Sequence, residues 1–102
     1  MFHITAFYLL SETVTQDATG QNKKTPVKSG LLIGKLRSVY QNEFYQAEQA
    51  GLRPQGVVEM SSFDYKNEPL IEIDSKPYTI YRTYLKGTDR IELYFGERVG
   101  NG

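Results

Sequence analysis

The 102-residue sequence has no cysteine, no tryptophan and a single histidine, and its twelve Lys and Arg are balanced by twelve Asp and Glu. Each absence removes something. Without cysteine there is no disulfide and no thiolate metal site, so the chain must hold itself by packing alone. That suits a reducing compartment without requiring one. His3 stands near the N-terminus with no acid or nucleophile beside it. A surface or strand-edge role fits it better than general acid-base work, which needs a positioned partner, and one histidine does not make a zinc centre. Zero net charge lacks the Lys/Arg surplus that phosphate contacts demand and leaves no polybasic anchor for a membrane surface. The longest apolar runs, Ala6–Leu10 and Leu31–Ile33, are far too short to cross a bilayer. Met1-Phe2-His3 leads straight into a strand-like alternation rather than a basic-then-apolar leader.

What remains is an ordinary globular composition, 39% hydrophobic and 24% charged, read as one domain over residues 1–102. At this length roughly 65% of the unfolded surface can be buried. Tyrosine is abundant, with eight copies. Tyrosines cover sheet rims, where strand propensity favours them, and they also anchor interfaces. Composition alone leaves both readings open.

Strand signals dominate. Phe2–Val14 alternates, with Ile4, Ala6, Tyr8 and Leu10 on one face and Phe7 and Leu9 on the other. Asp17–Asn22 is a turn. Lys23–Lys28 resumes as a polar segment in which Pro26 cannot donate to a ladder, so it belongs at or beyond a sheet edge. Leu31–Val39 is a further strand, and Gly34 inside it marks a bend or a close backbone approach. Gly56–Phe63 places Val58 and Met60 on one face and Val57 and Glu59 on the other. Asp64–Pro69 is a turn and Leu70–Asp74 a short strand with Ile71 and Ile73 inward. Ser75-Lys76 closes a tight hairpin into Pro77–Leu85, where Tyr78 and Ile80 continue the inner face. Lys86–Asp89 turns the chain into Arg90–Val99, with Ile91, Leu93 and Phe95 inward and Glu92 and Tyr94 outward. Six or seven strands, with a turn signal roughly every eight to twelve residues, predict a mainly β fold, a small barrel or sandwich.

One segment breaks this pattern. Arg37–Pro54 carries the only convincing helix, with Asn42 as N-cap, Glu43 at the positive helix end, Gly51 as C-terminal cap and Pro54 beyond. Tyr40, Phe44, Ala47 and Gly51 form one narrow stripe. About nine residues cannot hold a helix alone in water, so its order must come from its own sheet or from a partner.

Catalytic equipment is missing. Glu72 and Asp74 share a strand face, but that face is expected to be solvated, whereas a hydrolytic pair needs a cleft. Asp64–Pro69 lacks the spacing of a calcium loop, and Gly30–Gly34 reads as strand rather than phosphate loop. Tyr78 to Arg82 and Tyr84 to Lys86 could imitate a single-strand nucleic-acid platform, yet acidic residues lie among them at equal density. The expectation is no enzyme, no cofactor and no metal.

Five pieces of the chain, in order, resemble the head-closure proteins of long-tailed bacteriophages, also called head-tail adaptor, head-completion or stopper proteins. These are Thr13–Pro26, with Thr15-Gln16-Asp17, Gly20 and Pro26; Arg37–Ala47, a strand leading into Asn42-Glu43-Phe44-Tyr45-Gln46-Ala47; and Gly51–Tyr65, Gly-Leu-Arg-Pro leading to Ser62-Phe63-Asp64-Tyr65. Ile71–Thr83, an acidic strand, Ser-Lys turn, Tyr78-Thr79-Ile80 and Arg82-Thr83, is the fourth, and Arg90–Asn101 the last. No single piece is specific, but the five cover nearly the whole chain. Ser75 departs from a common glycine, and Glu59 from a usually apolar strand position, which suggests an altered subunit contact.

The resemblance implies a β-barrel subunit of a homo-oligomeric ring, six- or twelve-fold, in the virion neck. The ring would retain packaged double-stranded DNA and dock the tail, meeting head-side adaptor or portal proteins and a tail terminator or tail-tube protein. It implies no membrane, and host cytoplasm during assembly. The DNA-facing closure element would be Tyr40 to Gly56, with Tyr40, Gln41, Asn42, Glu43, Phe44, Tyr45, Gln46, Glu48, Gln49, Arg53 and Gln55 lining the channel. Weak affinity for phosphate suits a lumen that must release DNA. By charge pattern, Arg82, Arg90 and Arg98, with Glu92 and Glu97 between them, are candidate subunit contacts, and the resemblance adds Glu59. Solvation of a sheet face explains that pattern equally well. A tail-completion or terminator protein and a small barrel binding single-stranded nucleic acid are the alternative functions.

Overall fold

The computed structural model describes residues 2–16, 18–39, 45, 48, 49 and 51–98. Seven strands account for most of it: β1 (Phe2–Gln16), β2 (Asn22–Lys28), β3 (Leu32–Arg37), β4 (Leu52–Ser61), β5 (Leu70–Ile73), β6 (Lys76–Lys86) and β7 (Arg90–Arg98). All pairings are antiparallel. The order β1-β3-β4-β7-β6-β5 returns to β1 through Tyr8↔Glu72, Leu9↔Ile71 and Leu10↔Leu70, so six strands close into a barrel and β2 stays outside it. The expected mainly β fold is present, and Tyr45, Glu48 and Gln49 carry the helical backbone of the short inserted segment.

The core is assembled from the inner residues of every barrel strand. Phe7, Leu9, Val58, Met60, Ile71, Ile73, Ile91, Leu93 and Phe95 form one buried cluster, with Leu32, Leu36, Tyr65, Tyr78 and Ile80 against its margin. Of the two apolar faces of β1, the smaller one is chosen. Phe7 and Leu9 are buried, whereas Ile4 lies on the outside, 61% exposed. Gly34 makes the close approach foreseen for it. A methyl group there would lie 2.6 Å from the Glu59 carbonyl oxygen and 3.1 Å from the Phe7 ring, so only glycine lets β3 seat against β4.

Two bulges set which side chains face out. Between Ile80 and Arg82 the register of β6 on β7 slips by one residue. Because strand side chains alternate, the extra Tyr81 reverses every later residue. Arg82 and Tyr84, which plain alternation from Ile80 would turn inward, stand opposite the outward-facing Tyr94 and Glu92. A second slip between Pro54 and Gly56 makes Gln55 the extra residue of β4.

Some boundaries differ from expectation. β4 begins at Leu52, so Leu52–Gln55 is strand rather than the tail of the helical segment; its pairing with Gly96–Arg98 supplies the backbone bonds a helix end would lack. Gly51 caps that segment as anticipated, with φ at 75° and its N–H donating to the Glu48 carbonyl at 3.0 Å. The strand expected to reach Phe63 stops at Ser61, and Ser62–Asp64 forms a 3-10 turn that leaves Phe63 outside, 76% exposed. The β5–β6 hairpin turns on Asp74 and Ser75, with φ of 53° and 65°, one residue earlier than read from the sequence.

Candidate functional site

Polar side chains gather on the face of β3, β4, β7 and β6 that points away from the barrel core, where Val57, Tyr94 and Glu92 are nonetheless buried. Register places them in cross-strand rows. One row runs Lys35, Glu59, Glu92, Tyr84, and the next Arg37, Val57, Tyr94, Arg82. Glu59 and Glu92 stand directly opposite each other, a like-charge pairing that should destabilise the sheet. Flanking cations remove the conflict. Lys86 Nζ lies 2.9 Å from Glu59 Oε1 and Arg90 Nε 3.2 Å from Glu59 Oε2. Arg37 approaches Glu92 Oε2 at 3.6 Å. The Tyr94 hydroxyl donates to Glu92 Oε1 at 3.1 Å and accepts from Arg37 at 3.3 Å. The guanidinium groups of Arg37 and Arg82 also lie within 5.7 and 5.1 Å of the Tyr94 ring centre, close enough for cation–π attraction.

The electrostatics follow from these contacts. Hydrogen bonding from Lys86, then from Arg90, holds the Glu59 carboxyl below the usual glutamate range against the opposing effect of burial, and the same contact raises the Lys86 ammonium. A Glu59 carboxylate locked to two cations is a structural staple rather than a proton donor. The Tyr65 hydroxyl is pushed up by burial and donates to the Glu68 carbonyl at 3.1 Å. Among the described residues no group of three or more His, Cys, Asp or Glu is placed to hold a metal ion.

Of the subunit-contact candidates, Glu59, Arg82, Arg90 and Glu92 come together on this face. Arg98 lies apart, exposed near the end of β7 and opposite Leu52. Arg37, Tyr94 and Lys86 complete the cluster and carried no such expectation. The registers of β3 on β4, β4 on β7 and β6 on β7 are the signal that would have found them. Of the channel-lining candidates, Tyr40, Gln41, Asn42, Glu43, Phe44 and Gln46 lie outside the described residues. Tyr45, Glu48 and Gln49 are exposed, and Arg53 and Gln55 are exposed on β4. Arg53 stands opposite Glu97, whose carboxyl is lowered mainly by its bond to Lys76.

A second surface is not polar. The outer face of β1 and β3 presents Ile4, Ala6 and Ile33, with Ala6 directly opposite Ile33. Leu31 follows just before β3. Ile4, Leu31 and Ile33 are each about 60% exposed or more, an apolar strip on a barrel whose core is complete without it.

The third feature is an arm. Among the described residues β2 pairs with Leu10–Gln16 of β1 and with no other strand, and every residue of it is exposed. Ser29 is where the arm leaves the barrel. Its N–H donates to the Leu9 carbonyl, and its Oγ accepts from the Leu9 N–H, both at 2.8 Å. The hydroxyl thus stands in for a ladder carbonyl, and the register shifts by one before β3 begins. An open cleft of about 400 Å³ lies at the base of the arm, lined by Leu9, Val27 and Leu32 with Asp64, Lys66 and Glu68 across from them.

Compared with known proteins, the chain matches no family model and no curated protein.

Proposed function

We propose that this chain is a non-catalytic subunit of the neck of a long-tailed bacteriophage, one of several copies in a ring that closes the head channel over packaged DNA and receives the tail. The observation that carries this reading is the five-piece likeness to head-closure proteins, in register along a chain that folds as one closed barrel. The exposed apolar strip of Ile4, Leu31 and Ile33 is a surface that a ring subunit would bury against its neighbour. The arm extends such a subunit beyond its own barrel. The ion-pair cluster is internally neutralised and its centre, Val57, Tyr94 and Glu92, is buried within the chain, so it suits holding the sheet together more than capture of a charged ligand. Residues Arg53 and Gln55, exposed where β4 leaves the helical segment, continue the polar lining toward the channel. Head-side adaptor or portal proteins and a tail terminator or tube protein are the further partners, in the virion after assembly in the host cytoplasm.

Deleting the gene from its phage tests the reading by electron microscopy of the particles. Heads that empty and carry no tails are the expected result. Heads that stay full without tails would favour a tail-completion role instead, and intact tailed particles would rule out both. Salt-sensitive binding of oligonucleotides by the isolated chain would favour the single-strand nucleic-acid module.

A further inference from the structure

The arm is a two-stranded ribbon with two open backbone edges. Odd residues of β1 bond toward β2: after Leu9 and Ser29 come the pairs Ser11↔Val27, Thr13↔Thr25 and Thr15↔Lys23. Alternation then turns the N–H and C=O groups of Glu12, Val14 and Gln16 to the opposite side, where β5 pairs with β1 only as far as Leu10. Asn22, Lys24, Pro26 and Lys28 likewise face away from β1. Among the described residues no strand pairs with either edge. Proline and lysine are common guards against wrong edge pairing, and β2 has both. The β1 edge of Glu12, Val14 and Gln16 has no such guard.

The two edges differ in charge. The β2 edge presents Lys24, together with Lys28, which is held by Glu72 at 2.7 Å. The β1 edge presents Glu12. Pairing two β2 edges would set lysines together across prolines, and pairing two β1 edges would give Glu12 no cation. Pairing β1 with β2 satisfies both.

We infer that arms of neighbouring copies pair edge to edge, β1 of one copy antiparallel to β2 of the next, with Glu12 opposite the neighbour's Lys24, Thr13 opposite Lys23 and Val14 opposite Asn22. The occupant of the open edge is a second copy of this chain. Within one hairpin Thr13 faces Thr25, and across copies it faces Lys23, so each copy adds a stagger of about two residues over two strands. At roughly 3.3 Å per residue and 4.8 Å per strand that tilts the strands by about 35°, the tilt at which sheets close into barrels. The contact is head-to-tail, so it propagates around a ring instead of stopping at a dimer. A two-stranded hairpin is marginal in water, and new neighbours on both edges remove that weakness. The inference rests on the ring reading and names the contact that builds the ring.

The absence of cysteine makes the test direct. Thr13→Cys and Lys23→Cys chains are prepared separately, mixed at high protein concentration and mildly oxidised. The proposed register makes these a non-hydrogen-bonded pair about 4.5 Å apart at Cα, within disulfide reach. The mixed disulfide should exceed either self-disulfide several-fold. Glu12→Lys in both chains should cut its yield several-fold, and adding Lys24→Glu should restore it. Predominance of the Thr13→Cys self-disulfide, absence of any link, or a link indifferent to Glu12→Lys would each overturn the pairing. Sedimentation of the unmodified chain separates the two ideas. Closed rings without the 13–23 link remove the arm contact and leave the ring, whereas the link with open-ended ladders keeps the arm contact and removes the closed ring.

Discussion

The two halves of β1 are one strand under two sets of circumstances. From Phe2 to Leu10 it lies in a closed barrel, where Phe7 and Leu9 are fully buried. From Ser11 to Gln16 the same alternation continues, but its neighbour is β2 alone and Val14 is 59% exposed. The difference shows that strand character is a local property of β-branched, alternating sequence, while burial is conferred by what closes over it. The barrel half carries stability, and the arm half carries reach.

The sharpest test of that contrast is a pair of truncations. Leu93→Ala, in the centre of the buried cluster, should cost about 2–5 kcal/mol, lowering the thermal midpoint by ten degrees or more in calorimetry. Val14→Ala in the arm should cost no more than about 0.5 kcal/mol. A Val14 substitution as costly as Leu93→Ala in the isolated chain would erase the distinction. A gain should come from the β5–β6 turn. Ser75 holds a left-handed φ of 65°, which costs an L-residue roughly 1 kcal/mol that glycine avoids. Ser75→Gly should therefore raise the midpoint by a few degrees, and an unchanged or lower midpoint would contradict the turn geometry.

The smallest effect concerns pH. The Glu59 carboxyl is lowered in the folded chain by Lys86 and Arg90. Its contribution is fully present above the ordinary glutamate pKa of roughly 4.3 and is lost as pH falls through the lower folded value. Glu59→Gln should leave denaturation midpoints above pH 6 slightly reduced, and it should flatten their decline below about pH 4. An acid limb unaltered by the substitution would mean the two cations do not stabilise the sheet.

Much of the barrel could be read in advance because alternation is local. Spacing alone turns Ile71, Ile73, Ile91, Leu93 and Phe95 inward, and they form much of the core. Pro26 marked β2 as an edge because a ring nitrogen cannot join a ladder, and β2 does lie outside the barrel. Gly34 and Gly51 were legible because glycine inside a strand marks a close approach and glycine takes positive φ most readily, and the structure has a 2.6 Å approach at Gly34 and a φ of 75° at Gly51. The ion-pair face was half legible. Alternation turns Glu92 outward, but the partners of Glu59 lie on other strands, 27 and 31 residues away, and nothing in local pattern pairs them.

The sequence alone determined a cysteine-free, neutral, mainly β domain with one helical interruption, because composition and period are properties of the chain. Only the tertiary structure decided which face of β1 is buried, since Ile4, Ala6 and Tyr8 were as apolar a choice as Phe7 and Leu9. It also decided that Arg82 and Tyr84 face outward, because a one-residue slip at Tyr81 depends on how β6 meets β7. The arm belongs to the same class. A long hairpin follows from residues 2–28, but its projection beyond the barrel follows from where β5 stops pairing with β1, at Leu10.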